Sequence, residues 1–402
     1  MTSFEIKLNL QEPQAHDMSF ETFLNTSSEI TNSIITRLKL WNRKRLKSSR
    51  IKKLLQTDPK YRKPYPYPDR LRKILFIEAQ QGWGDFLYFA GLLKSLSKSG
   101  LIIDVASLPN TFERYKRLPF IRNTFPLGDQ KSIKEITVQN YDLAIDVTYV
   151  NSNHWDLRLP LLSAIRCHTL TTSDVASTSK LFDHFIDLSE KCHWSQRNAL
   201  IYNSIVHPED TEIAIPPFYP KLKESTHVKE FLDSLNLTKR IVYVNTKASA
   251  ESRTLSREQT QVIIDLFNQR KSSIGIIFTD FTFEESNYVK RLPKMEFDEF
   301  STFIQHSQAI ISPDTSTVHL GCVFNIPVFG IYCGNNRDYW SQYAMQDVWA
   351  PLSHHSVSYV EDDPDASTES DFIYTHKKKS IKTYDPITLS KKIRNFLEKL
   401  DL

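Results

Sequence analysis

Asp85 is the residue whose type and setting most invite chemistry. It closes the stretch Gln81-Gly82-Trp83-Gly84-Asp85, directly after the β-branched run Ile74-Leu75-Phe76-Ile77. A carboxylate at the start of a helix is favoured in its charged form. Held at the mouth of a cleft, it can take a proton from an attacking hydroxyl. The alternative is that Asp85 simply caps its helix. Only nine glycines occur in the chain, and two of them flank Trp83. Where glycine is scarce, such a pair answers a backbone need, either a positive φ or close approach to a ligand.

A second constellation is Ser312-Pro313-Asp314-Thr315-Ser316-Thr317-Val318-His319-Leu320, which follows Ala309-Ile310-Ile311. Backbone N–H groups at a helix start, with the hydroxyls of Thr315, Ser316 and Thr317, make a cradle for a diphosphate. His319 falls in the first helical turn, where its ring could donate to the same phosphate. Equally, Asp314 or a hydroxyl caps this helix and His319 packs in an interface. A third loop, Asn245 to Arg253, follows the strand-like Arg240–Asn245. Thr246, Lys247 and Arg253 within it offer a hydroxyl and positive charge to phosphate; a solvated polar loop is the plainer reading.

Elements of α/β type must position these groups. Ile74–Ile77, Leu101–Val105, Tyr141–Val147, Arg240–Asn245, Ile274–Thr279, Ala309–Ile311 and Val328–Tyr332 read as buried parallel strands. Phe86–Ser97 reads as a helix with Leu87, Ala90, Leu93 and Leu96 inward. A polar loop over Thr246–Thr254 leads to a helix from about Ser256. Asp385-Pro386 starts the last helix with an N-cap and a proline at the first helical position; Leu389, Ile393, Phe396, Leu397 and Leu400 form its apolar face. In open α/β sheets, ligands sit at the carboxyl ends of strands. Two such corners, one per half, predict two α/β domains facing one cleft, and a chain of 402 residues is long enough for both. The expected division is an accessory region over 1–69, a first Rossmann-like domain over 70–215 and a second over 216–402 that ends in the helix 386–400. Ile213–Tyr219, with adjacent Pro216 and Pro217, is a plausible hinge.

Charge is unevenly spread. Residues 37–73 carry a balance of +13, leaving −9 for the rest of a chain whose total is +4. Ile30, Ile34, Leu38 and Trp41 form a helical apolar stripe beside these basic residues. Residues 30–55 therefore suit an anionic membrane surface, or else a helix packed on the first domain with a solvated basic face. Tyr61–Asp69 alternates proline with tyrosine and reads as a stiff connector; Glu361–Asp365 reads as an exposed acidic loop. No DNA- or RNA-binding motif accompanies the basic run, so nucleic acid is the weakest partner class. The four cysteines lack metal-ligand spacing and read as reduced thiols of a cytosolic protein. No signal peptide or membrane-spanning run is visible.

Taken in order, these pieces resemble glycosyltransferase family 9, the heptosyltransferase-like enzymes, over about residues 72–400. The likeness rests on Gly84-Asp85-Phe86-Leu87, with Leu92-Leu93-Lys94-Ser95-Leu96 in the following helix. It continues in Asp314 through Leu320, in Asn325-Ile326-Pro327-Val328-Phe329-Gly330-Ile331-Tyr332-Cys333-Gly334, and in Trp340. Ser316 stands where the family has glycine, Gly91 where proline is usual, and Arg253-Thr254-Leu255 lacks the usual tryptophan. The resemblance implies a GT-B fold of two Rossmann-like domains, with the N-terminal basic extension as an addition. It implies inverting transfer without a metal or other cofactor, from a nucleotide-sugar (ADP-linked) to a lipopolysaccharide-core or related glycan. Asp85 would be the general base, with Gly82, Trp83 and Gly84 near the acceptor. Asp314, Thr315, Ser316, Thr317, His319, Arg253, Lys247 and Thr246 would hold the donor phosphates. A cytoplasmic enzyme docked at the inner membrane would fit this. Transfer to a protein or capsule acceptor, and a non-catalytic nucleotide-sugar binder, are the competing readings.

Overall fold

The computed structural model describes residues 71–148, 154–172, 182–186, 188, 193–206, 212–235, 239–333, 348–362, 378 and 380–402. The stripe from Ile30 to Trp41, the basic segment, the tyrosine–proline connector, Gly334, Trp340 and most of the acidic loop lie outside these residues.

Two six-stranded sheets, parallel throughout, dominate the compact unit Tyr61–Leu402. The first contains β1 (Lys73–Glu78), β2 (Ile102–Ser107), β3 (Ile121–Pro126), β4 (Leu143–Asp146), β5 (His168–Thr171) and β6 (His184–Phe185). The second contains β7 (Arg240–Asn245), β8 (Ser273–Phe278), β9 (Val289–Arg291), β10 (Ala309–Pro313), β11 (Val328–Ile331) and β12 (Val357–Tyr359). The first runs β3-β2-β1-β4-β5-β6 and the second β12-β11-β10-β7-β8-β9. Both are the doubly wound order, in which the strand sequence reverses beside the first strand. The switch points fall between β1 and β4 and between β7 and β10. β1, β7 and β10 each feed one of the loops singled out above.

The expected strands and helices are present with small shifts at their ends. β7 spans the same residues as read from the sequence. β1 gains a residue at each end, and Tyr141 and Val147 fall outside β4. The first helix runs Trp83–Lys98, three residues earlier than expected, so Asp85 lies inside its first turn. Leu87, Ala90, Leu93 and Leu96 are fully buried in the core. Ser256 caps the helix Arg257–Arg270 through a reciprocal bond with Gln259. Asp385 caps Pro386–Lys399, accepting from the Thr388 N–H at 2.7 Å.

The two halves meet along the helix Trp83–Lys98 and the helix Ser316–Phe324. Gly91 lets the backbone of Pro216 lie directly against the first of these, where any Cβ would overlap its carbonyl oxygen. The Phe218 N–H donates to the Leu87 carbonyl at 2.9 Å, fastening the connector to the same helix. Arg117 pairs with Asp298, which also accepts from the Tyr219 hydroxyl. No helix among the described residues is long and apolar enough to cross a membrane.

Candidate functional site

A cavity of about 920 Å³ lies where the two switch points face each other. That is the size range of small-molecule and cofactor sites. One wall is the corner after β1, with Gln81, Gly82, Trp83, Gly84 and Asp85. Another is the helix start after β10, with Asp314, Thr315, Ser316, Thr317 and His319. Asn245, Lys247, Ala248, Ser249 and Arg253, after β7, close the base, and Tyr243, Phe278, Met295, Phe297, Phe300 and Trp349 supply apolar surface.

Asp85 does not cap its helix. Gly82 holds the N-cap position, and no side chain caps it. Gly82 and Gly84 both serve close approach rather than a positive φ, since the positive-φ glycines are Gly100 and Gly128. A Cβ on Gly82 would overlap Oδ2 of Asp85, and one on Gly84 would lie 2.9 Å from Cδ2 of His319. The carboxyl therefore folds back over Gly82 and faces the cavity. Oriented as a donor, the Gln80 amide nitrogen lies 2.7 and 3.2 Å from the two Asp85 oxygens. Burial pushes the Asp85 carboxyl up to about 7; the charge of Asp314 adds to this, and that of Arg114 opposes it. A group of that pKa is poised for proton transfer near neutrality.

At the second corner Thr315, not Asp314, caps the helix, accepting from the Thr317 N–H at 3.3 Å. Asn245 braces this cap, its amide 3.2 Å from the Thr315 hydroxyl and 3.3 Å from that of Ser312. Asp314 is nearly buried and paired with Arg253 at 3.0 Å. Nη1 of Arg253 also donates to the Asp314 carbonyl at 3.0 Å, and Nη2 to Ser249 Oγ at 2.9 Å. Burial raises the Asp314 carboxyl while Arg253 lowers it. Lys247 reaches Asp280 at 2.7 Å. Both basic residues thus line the cavity with a carboxylate partner in hand.

His319 is buried between the halves. Its ring packs edge-on to Tyr88 (5.0 Å between centroids) and against Trp349 (5.3 Å). Burial drives its pKa down to about 3, with His193 adding to the effect, so the ring is neutral. Its Nδ1 is buried with no hydrogen-bond partner among the described residues.

Thr246 is not part of the lining. Strand residues alternate faces, and Tyr243, Asn245 and Lys247 take the cavity side. Thr246 is buried on the other side, its hydroxyl donating to the Phe278 carbonyl at 2.9 Å. Sequence reading also missed the far wall. Trp83 stacks on Phe297 at 3.4 Å and 8°, while the Arg114 guanidinium lies 4.0 Å from the same indole. Lys294 lines the cavity too, and forms no ion pair among the described residues. The signal for Asn245 was available, since it ends a strand beside the switch point. Phe297 and Trp349 carried none, because only tertiary folding brings them to the site.

The sequence profile of glycosyltransferase family 9 (heptosyltransferase) matches residues 252–363. An Escherichia coli K12 protein described as "Putative lipopolysaccharide heptosyltransferase 4" is 25% identical over 327 residues, covering 73% of this chain and 82% of the relative. Among solved structures, E. coli ADP-heptose lipopolysaccharide heptosyltransferase II aligns with a TM-score of 0.57 at 17% identity, over 82% of this chain and all of that one. A family 9 glycosyltransferase from Veillonella parvula aligns at 0.59 and 12% identity, over 82% of this chain and 98% of that one. An E. coli heptosyltransferase solved with ADP aligns at 0.54 and 12% identity, over 82% of this chain and 99% of that one. The two doubly wound sheets are the GT-B arrangement of these neighbours. Over residues 252–363 the chain resembles glycosyltransferase family 9, and its fold is that of the heptosyltransferase neighbours.

Proposed function

We propose that the chain moves a sugar, heptose by its resemblance, from an ADP-linked donor to a lipopolysaccharide-core or related glycan, with inversion at the anomeric carbon. The observation that carries this reading is the convergence of Asp85 from one sheet and the Thr315–Thr317 helix start from the other on a single cavity. The residues after 216 would hold the donor and those of 70–215 the acceptor.

In the reaction, the acceptor hydroxyl gives its proton to Asp85 as its oxygen bonds to the anomeric carbon. The bond from that carbon to the diphosphate oxygen breaks, and ADP departs with the negative charge. The helix N-terminus, the hydroxyls of Thr315, Ser316 and Thr317, and the charges of Arg253, Lys247 and Lys294 offset that charge as it develops. His319, neutral at every working pH, offers the diphosphate a hydrogen bond rather than a charge. These groups would do the work a divalent ion does elsewhere, so turnover is expected to survive EDTA. Attachment to the cytoplasmic membrane face through residues 30–55 belongs to the same reading.

The test is a thermal-shift panel of ADP-, GDP- and UDP-linked sugars with their nucleotides, on the wild type and on Arg253→Ala. The expected result is stabilisation by the ADP compounds that is weakened in the variant. Stabilisation by another nucleotide class would overturn the donor assignment. Binding without release of ADP to any glycan acceptor would favour a non-catalytic binder.

A further inference from the structure

The segment between β1 and the first helix is held at three successive residues. The Ala79 N–H donates to Thr148 Oγ1 at 2.9 Å. The Gln80 N–H donates to Oε1 of Glu78. The Gln81 carbonyl accepts from Nη1 of Arg114 at 3.0 Å. Of the three anchors, Glu78 stands out, because a carboxyl at the buried end of a parallel strand is costly to keep. It is 2% exposed, and its second oxygen lies 3.3 Å from the Tyr115 hydroxyl. A leucine or threonine would fill that space at less cost. Nothing in the transfer chemistry above uses Glu78, and it does not line the cavity.

What Glu78 grips is the backbone of Gln80, and the Gln80 amide in turn holds both oxygens of Asp85. We propose that Glu78 is a positioning residue for transfer, fixing through the Gln80 N–H the corner from which the Gln80 amide aims the Asp85 carboxylate. This rests on Asp85 being the base.

The electrostatics of the corner suit that role. Groups facing it are Tyr115 and Arg114 from the neighbouring helix, Asp85 itself, and Asp314 across the cavity. Asp146, on the adjoining strand, is closed off by its 2.5 Å ion pair with Arg158. His154 approaches the Gln81 amide at 3.4 Å. Burial lifts Glu78 to about 8, with the Gln80 N–H opposing and the charge of Asp85 adding. Burial thus raises both carboxyls, and Asp85, near 7, titrates close to neutrality. The charge of Asp85 opposes ionisation of Glu78, so the pair favours one charge over two.

The experiment is the pH dependence of kcat/KM for ADP release from ADP-heptose with a deacylated lipopolysaccharide-core glycan, alongside ADP affinity by calorimetry. Variants are Glu78→Ala, Glu78→Gln, Gln80→Leu and Asp85→Asn. Glu78→Ala and Gln80→Leu are each expected to lower kcat by about tenfold or more and to move the acidic limb upward, because the Asp85 carboxylate loses its amide donor. ADP affinity should stay within about twofold, since neither residue lines the donor wall. Combining the two should add little to either alone. Glu78→Gln keeps a carbonyl for the Gln80 N–H and should recover most of the loss. A Glu78→Ala enzyme with wild-type kcat and an unmoved acidic limb would overturn the proposal while Asp85→Asn remains inactive. An active Asp85→Asn enzyme would instead remove the base on which the proposal rests. Should Glu78→Ala fail to fold, Gln80→Leu and Glu78→Gln decide it: a wild-type limb in Gln80→Leu is then the refuting result.

Discussion

Gly84→Ala should destabilise the wild-type protein but not a protein that already carries His319→Ala. Gly84 is the second residue of its helix and has no positive φ, so alanine suits its backbone. Replacing glycine by alanine in a helix is worth up to about 1 kcal/mol. Against this, the new Cβ would lie 2.9 Å from Cδ2 and 3.2 Å from Nε2 of His319. The imidazole has little room to retreat, with Tyr88 and Trp349 against it. Overpacking of a tight contact costs about 1–3 kcal/mol. The net loss in the wild type is then on the order of 1–2 kcal/mol. Once His319 is truncated, only the helix preference remains, and the same substitution becomes neutral or stabilising by up to about 1 kcal/mol. Urea unfolding of the four proteins in the cycle measures the coupling. Gly84→Ala costing the same in both backgrounds, within about 0.5 kcal/mol, would refute the claim that this contact joins the two halves at the site.

Two further outcomes follow from the charges. Glu78 and Asp85 are raised from ordinary values of 4.5 and 3.8 to about 8 and 7, so the folded state holds protons that the unfolded chain has lost. Their contribution is full at low pH and is lost as pH rises through that window. Glu78→Gln and Asp85→Asn should therefore gain stability over wild type between pH 5 and 9, on the order of 1–3 kcal/mol by pH 8 after allowing for the exposure of Asp85; parallel stability curves would contradict this. Arg253→Ala leaves the Asp314 carboxylate nearly buried without its partner and should cost about 2–4 kcal/mol, with ADP bound about tenfold more weakly. Arg253→Lys should recover only part, because one ammonium cannot reach the Asp314 carboxylate and carbonyl and the Ser249 hydroxyl together. Full recovery in denaturation and calorimetry would show that charge alone matters there.

The long strands were legible because β-branched runs buried on both faces leave an unbroken apolar string. β7 and the final helix carry such signals, the helix through Asp385-Pro386 and its apolar stripe. Short or polar strands such as β5, β6 and β12 gave nothing comparable, since their pairing is dictated by neighbours in space. The helices 112–116 and 130–137 are brief and were likewise not anticipated. At the site, the two corners were readable from small residues after strands; glycine scarcity marked a backbone need there, which in the structure is room for the Asp85 and His319 side chains. Sequence left open whether Asp85 caps its helix, and Gly82 at the N-cap resolves it. His319 packs between the halves, as one of the two readings had it, and also borders the cavity. Thr246 was misplaced because strand alternation turns it away. The aromatic wall depends on Phe297 and Trp349, which share no local pattern with the corners they face.

The most direct measurement is sugar transfer by Asp85→Asn, with ADP affinity measured on the same preparation. The account predicts a fall in kcat of at least about 10²–10⁴-fold, with ADP binding within about twofold of wild type. A variant that transfers within about tenfold of the wild-type rate, while binding ADP equally well, would contradict the assignment of Asp85 as the base.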